Sequence, residues 1–472
     1  MSYHRQPPLH DLVTLLSAPS VCLSAPDGEI RNGQADGLYC GDLRLVSALE
    51  LAIPGAYVEP VGSERTSAAT AVFSARVRVE GDEAPDTSLL LRRERAVGTE
   101  GMTERVEVMN FGPEQVQLEL ELRAAGDLAP VHVVRSGEWP RPVEPELGGN
   151  TVVWTTGSQR VCLVADPPPD RMAAVGGQAV LSFALCAEAR SAGTITLRVE
   201  HEDDPGEAAD RVFGPRTAHA PVLAAPRGVR ASDASAALPR DPTRRRLLTT
   251  SLDDLQHMLL SDPLRPDDHI LAAGSPWYFT LFGRDALWSA LLLLPSGREV
   301  AAGTLRALRR RQAESIDPST DAEPGKILHE VRRATLRVGE MVIPPLYYGT
   351  IDATCLWIRL LHAAWRTGMP ESEVGALLPG LEAGLAWMLE YGDADGDGFI
   401  EYRSSGDGAL VNQGWKDTPY AVRWAEGRQA QAPLALCEVQ GYAYAAAIGG
   451  AELLEAFGHP GADQLRTWAS GL

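Results

Sequence analysis

The chain has 472 residues, 44% of them hydrophobic and 22% charged, with a net charge of -20 at neutral pH. That length exceeds one ordinary core and implies two or three domains of soluble, globular composition. The acidic balance argues against nucleic acid or an anionic membrane surface as the main partner and fits a neutral substrate such as a sugar. No leader-like apolar segment follows Met1, and no apolar run approaches a bilayer span, which points to a cytoplasmic protein. Six scattered cysteines show neither CxxC nor zinc spacing and read as reduced thiols. No motif for a cofactor or a metal stands out, so none is expected.

From about residue 21 to 202 the hydrophobic pattern has period two, as in Val72–Val79 and Val116–Leu122. Such segments, broken by Gly, Pro and Asp, predict an antiparallel β-sandwich over residues 1–202. The stretch GLYCGDLRLVSALEL (37–51) lies early in it, and its Asp42 and Arg44 read as a buried ion pair holding a turn. Residues 203–245 are rich in Ala, Pro, Arg and Asp and read as a linker. From 246 to 472 the period is helical. Helices are expected near 247–260, 284–294, 298–315, 351–367, 371–391, 434–457 and 461–472. The loops at 262–283, 316–350 and 392–433 are too long for plain connectors. Stacked helical hairpins with those loops at one end predict a partial (α/α) six-hairpin toroid with a site in its mouth.

The loops carry the chemistry. NQGWKDTPY (412–420) supplies an amide pair, the aromatic wall of Trp415 and the carboxylate of Asp417. A sugar needs all three: a flat wall for its ring face, amides for its hydroxyls and an acid for the leaving oxygen. GSPWYFTLFGRDAL (274–287) places Trp277 near Arg284 and Asp285, a pair suited to vicinal hydroxyls. Asp285 would equally be favoured at a helix start by the dipole. PPLYYGTIDAT (344–354) adds Tyr348 and Asp352, the latter also readable as a helix cap. His329–Glu330 is not a metal motif, because HExxH is absent. The run from Asp393 to Ile400 imitates a calcium loop, but its last ligand position holds Ser404 in place of a bidentate Glu. A turn into a short strand at 399–402 is its other use. EVQGYAYAA (438–446) puts Glu438, Gln440 and Tyr442 at the start of an Ala-rich helix.

These motifs, in this order, resemble the bacterial amylo-alpha-1,6-glucosidase, or glycogen-debranching-like, family. Residues 37–51 resemble that family's N-terminal β-domain. The resemblance implies a β-sandwich followed by an (α/α) barrel, and inverting hydrolysis of α-glucosidic bonds with α-1,6 branch stubs of glycogen-like glycans as one target. It implies Asp417 as general acid, Trp415 and Trp277 as platforms, and Arg284 with Asp285 gripping the sugar. Tyr348, Asp352, Glu438 and Gln440 are further contacts. The general base belongs to the C-terminal part of such barrels, beyond the seven helices counted here. Within this chain Glu438 and Glu330 are the carboxylates to consider. The alternative is a carbohydrate-binding protein without catalysis. An incomplete toroid should also expose apolar side chains along residues 434–457, Leu453 among them.

Overall fold

The computed structural model describes residues 7–81, 86–203, 240–338, 341–403, 408–418 and 420–472. Most of the expected linker, 204–239, and Ser404 lie outside the described residues. The chain divides into two compact units. The first contains the β-rich N-terminal segment together with residues 241–258 and 274–279; the second contains residues 259–273 and 280–472.

Alternation builds the first unit. In Val116–Ala125, Leu118, Leu120 and Leu122 point inward and Glu119 outward; in Thr70–Val79, Ala71, Phe73 and Val77 do the same. An eight-stranded antiparallel sheet runs in the order Glu146–Gly148, Thr151–Thr156, Gln159–Asp166, Ala192–Asp203, Gly101–Asn110, Leu89–Gly98, Thr70–Val79 and Ala56–Arg65. A four-stranded antiparallel sheet runs Arg171–Val175, Gln178–Ala187, Val116–Ala125 and Ala48–Ala52. Leu120 and Phe183 of the smaller sheet share one core with Val106, Leu163 and Leu197 of the larger. The expected sandwich is therefore present as a β-rich unit of antiparallel sheets around a common core. A five-stranded sheet from the first part of the chain completes it.

Among the described residues of this region there is one short helix, α1, Val131–Arg135. Helix α2, Pro242–His257, opens with Asp241 capping the Arg244 amide at 2.9 Å and with Pro242 in its first turn. It groups with the β-rich unit although its period had suggested the helical part. The reason is in its contacts: Asp253 accepts from the Ala68 amide at 2.9 Å, and the His257 carbonyl accepts from Ala18 at 2.8 Å. The buried Arg44 departs from expectation too. Its partner is Asp127, 83 residues away, and not the adjacent Asp42. Two fixed charges without water need this closeness and extra acceptors, and the Gln34 carbonyl takes another N–H at 2.6 Å.

Among the described residues the second unit contains six α-helices: α3 (Gly283–Leu293), α4 (Glu299–Arg309), α5 (Ala353–Arg366), α6 (Glu371–Glu390), α7 (Cys437–Ala456) and α8 (Ala462–Gly471). Each odd-numbered helix packs on the even-numbered one that follows it, giving three hairpins. Helix α5 packs on both α3 and α7, while α4 packs on α6. Two layers result, with α3, α5 and α7 side by side in one of them. The expected exposed stripe on α7 is only partly there. Leu453 is fully buried, one turn beyond Gly449 and Gly450, which lie against His362 of α5 and Leu385 of α6, whereas Tyr444 is 52% exposed. Among the described residues no helix is long and apolar enough to cross a membrane.

Candidate functional site

The loops preceding α3, α5 and α7 supply the site, so it gathers at the N-terminal ends of one helix layer. Gly283 sets the position of α3. A Cβ there would lie 2.1 Å from the Leu328 carbonyl oxygen, so only glycine lets the first turn come this close. Its amide donates to the His329 carbonyl at 2.8 Å. The next two residues are Arg284 and Asp285.

Arg284 donates through Nε to Asp352 Oδ2 at 2.5 Å and through Nη2 to Thr350 Oγ1 at 3.3 Å. Thr350 in turn donates to Asp352 Oδ1 at 2.8 Å. Asp352 occupies the N-cap position of α5 yet makes no side-chain capping bond. Its carboxylate is bonded to Arg284 and Thr350 instead of capping the helix. Burial opposes the Arg284 charge, but Asp352, Asp285 and Asp417 outweigh it and hold the guanidinium above its ordinary pKa. Burial raises the Asp285 carboxyl. Arg284 and its own backbone N–H pull it down, and Asp352 and Asp417 push it further up, leaving it above the usual value. Four charged groups from three loops thus share one field: Arg284, Asp285, Asp352 and Asp417.

Asp417 is half-buried beside Trp415, which is 59% exposed and carries Lys416 Nζ at 4.9 Å from its ring centroid. Glu438 stands in the first turn of α7, where the Cys437 thiol donates to its Oε2 at 3.5 Å. One turn on is Tyr442, whose hydroxyl is raised by burial and by Asp352 and Glu438, against Arg359 and Arg284. Tyr442 links Glu438 electrostatically to the Arg284–Asp352 pair.

Other residues named from the sequence spend their polar groups inside the fold. Asn412 and Gln413, the amide pair expected to meet hydroxyls, are buried. Asn412 accepts from Tyr402 and donates to the Thr418 carbonyl; Gln413 donates to Asp321. A loop that presents Trp415 and Asp417 has to be anchored, and these amides anchor it. Gln440 accepts from the Ile400 amide at 2.9 Å and donates to the Ile400 and Leu436 carbonyls. The Tyr348 hydroxyl donates to the Arg311 carbonyl at 2.6 Å, and burial pushes it up to about 12. Trp277 belongs to the β-rich unit, where it is 3% exposed and packs edge-on against Tyr39 with centroids 6.0 Å apart. Glu330 is buried and ion-paired with Arg332 at 2.7 Å.

Sequence reasoning missed Trp288 and Arg359. The Trp288 ring meets Tyr442 at 5.7 Å, and the Arg359 guanidinium lies 5.0 Å above it. Helical spacing could have found them. Trp288 follows Arg284 by one turn, Arg359 follows Asp352 by two, and Tyr442 follows Glu438 by one, so each shares its helix face with a named residue. As for a cation, Asp393, Asp395 and Glu401 carry carboxylate oxygens within 4.8 Å of one another. Those oxygens accept from the backbone amides of Gly396, Gly398, Asp397, Ala394 and Asp395, so the loop is held by its own hydrogen bonds.

Comparison with known proteins bears on both units. Residues 15–198 match the family of the N-terminal domain of (some) glycogen debranching enzymes. No curated protein matches the sequence. Among solved structures, one assigned as a kojibiose phosphorylase from the human microbiome aligns with 97% of this chain and 65% of its own, at a TM-score of 0.53 and 9% identity. The chain therefore spans about two thirds of the length of that structure. At this identity the likeness is one of fold: a β-rich region followed by helices. An assigned aldose 1-epimerase from Escherichia coli K12 covers 41% of this chain and 99% of its own, at 8% identity and a TM-score of 0.27. A 4-alpha-glucanotransferase from Thermococcus litoralis covers 41% and 37%, at 8% identity and a TM-score of 0.23.

Proposed function

We propose that the helical unit is a glycoside-processing site of carbohydrate metabolism, acting on α-glucosidic bonds of glycogen-like oligosaccharides with inversion, α-1,6 bonds among them. The observation that carries this reading is the cluster of Arg284, Asp285, Asp352 and Asp417. Three segments far apart in sequence bring these side chains into one electrostatic neighbourhood beside an exposed Trp. The matched debranching-enzyme domain in residues 15–198 supports a glucan as the substrate class.

In this reading Asp417 protonates the glycosidic oxygen as the bond to the anomeric carbon breaks. Water adds from the opposite face and gives its proton to a base. Asp285, steered by Arg284, accepts from the sugar's hydroxyls, and Trp415 stacks on a ring face. Within the chain Glu438 is the stronger base candidate, because Glu330 is tied to Arg332. That same tie favours a second reading, in which the site binds an oligosaccharide and does not cleave it.

The test is incubation of the chain with isomaltose and with maltose, following the anomeric protons of released glucose by NMR. β-Glucose appearing first, and its loss in Asp417→Asn, supports inverting hydrolysis. α-Glucose appearing first, or full activity in Asp417→Asn, overturns it. Binding of isomaltose without any release establishes the second reading.

A further inference from the structure

Of the 43 lysines and arginines in the chain only two are lysines, Lys326 and Lys416. Lys326 is buried, donates to the Asp321 carbonyl at 3.0 Å and pairs with Glu323 at 3.3 Å. Lys416 is exposed and stands between Trp415 and Asp417. Its Nζ lies 4.9 Å from the centroid of the Trp415 ring. Among the described residues it makes no hydrogen bond and no ion pair. Two further exposed rings of the same loop also carry a cation, and there it is an arginine. Arg423 lies over Tyr420 at 5.1 Å, and Arg428 over Trp424 at 5.3 Å. In a chain that uses arginine almost throughout, the cation at Trp415 is the exception.

We infer that Lys416 is a sugar-contacting residue of the site: its ammonium leaves the Trp415 ring when a sugar stacks there, and donates to that sugar's hydroxyls. The inference rests on the glycoside reading of the site. The shape of the cation selects the role. A planar guanidinium stacks flat on an aromatic face and holds it. An ammonium is a compact, strongly hydrated point charge on a flexible four-carbon stem, so it gives the face up more easily. Trp415 has to be bare to take the C–H face of a sugar ring, whereas Tyr420 and Trp424 can stay covered. Lys416 follows Trp415 directly in the chain, so its displaced ammonium remains at the rim of the ring. The hydroxyls of a stacked sugar point outward there, and the ammonium meets them with three donors. Arg284 is already bonded to Asp352 and Thr350, whereas the donors of Lys416 are free.

The experiment uses the full chain with isomaltose and maltose as probes. Because Lys326 is buried, brief treatment with an amine-acetylating ester reports on Lys416, read by mass spectrometry of its peptide, with free Nα-acetyl-lysine in the same tube as control. The expected result is that isomaltose slows acetylation of Lys416 saturably and leaves the control unchanged. Lys416→Met keeps the stem without the donors and should weaken isomaltose binding in calorimetry by about tenfold or more. Lys416→Arg keeps the charge and should also weaken it, because the guanidinium stays on the indole. If isomaltose binds the parent chain but Lys416 is acetylated at the same rate, the inference is overturned and the glycoside reading stands. Parent-like affinity in Lys416→Met or in Lys416→Arg overturns it in the same way. Failure of both isomaltose and maltose to bind the parent chain overturns the glycoside reading and this inference with it.

Discussion

The guanidinium of Arg284 and the carboxylate of Asp352 are joined through Nε and Oδ2 at 2.5 Å, with Thr350 bridging them by donating to one and accepting from the other. This pair ties the first turn of α3 to the first turn of α5. Asp352 is 2% exposed, so its loss would leave a largely buried guanidinium with a single weak acceptor. Asp352→Ala is expected to lower stability by about 3 kcal/mol or more, measured by urea unfolding. A change below the error of the measurement would show that the pair is not what fixes these two helices.

Asp285 makes a pH-dependent contribution of defined sign. Its folded-state pKa lies above the ordinary 3.8. The stability tied to its protonated form is fully present below 3.8 and is lost as the pH rises through the raised value. Asp285→Asn should therefore raise stability at neutral pH, by an amount that shrinks on acidification and vanishes below 3.8. Unfolding curves of both proteins across that range check this. A uniform loss of stability in the variant would mean that Arg284 more than compensates the buried charge.

His329 acts in the opposite direction. It is packed edge-on between Phe282 and Tyr347, and burial, with Arg284 and Arg332, holds its pKa well below 6.5. The neutral ring stabilises the fold above 6.5, and that stability declines as the pH falls below 6.5 toward the depressed value. His329→Phe keeps the ring contacts and should remove this acid sensitivity. Parallel stability profiles for the two proteins below 6.5 would exclude His329 as its source.

Trp415 is 59% exposed, so its removal should not cost core stability. Trp415→Ala should leave the melting temperature within about a degree or two of the parent and weaken isomaltose binding by roughly tenfold, as expected for loss of a stacking surface. Unchanged affinity in calorimetry would remove the tryptophan from the site.

At Gly283 the constraint is steric. With a Cβ only 2.1 Å from the Leu328 carbonyl oxygen, Gly283→Ala must displace the first turn of α3. A loss of about 1–3 kcal/mol is expected, together with weaker sugar binding, because Arg284 and Asp285 move with that turn. Stability loss with unaltered affinity would separate the glycine from the site.

Much of this arrangement was legible in the sequence. Apolar spacing marked the strands and the helices, because burial of one face has a period that a reader can count. Helix starts singled out Arg284, Asp285, Asp352 and Glu438, and the aromatic and amide setting of residues 412–420 singled out Asp417. The direction of a polar side chain has no period. Asn412, Gln413, Gln440 and Tyr348 have the composition of ligand contacts, yet each meets a partner within the fold. The partner of Arg44 lies 83 residues downstream in Asp127, a distance that no local pattern encodes. Trp288 and Arg359 were readable in principle, one and two turns beyond residues already singled out.

The grouping of α2 with the β-rich unit bears on how the protein comes off the ribosome. Synthesis delivers the strands through Asp203 well before Asp253 and His257, which meet the Ala68 and Ala18 amides. Residues 274–279 of the same unit follow later still. The nascent β-rich unit therefore waits for the chain to run past residue 279 before its own contacts are complete, while synthesis of the helical part is already under way. A recombinant fragment ending at residue 240 would carry that unfinished state permanently. One ending beyond residue 279 would let the unit close.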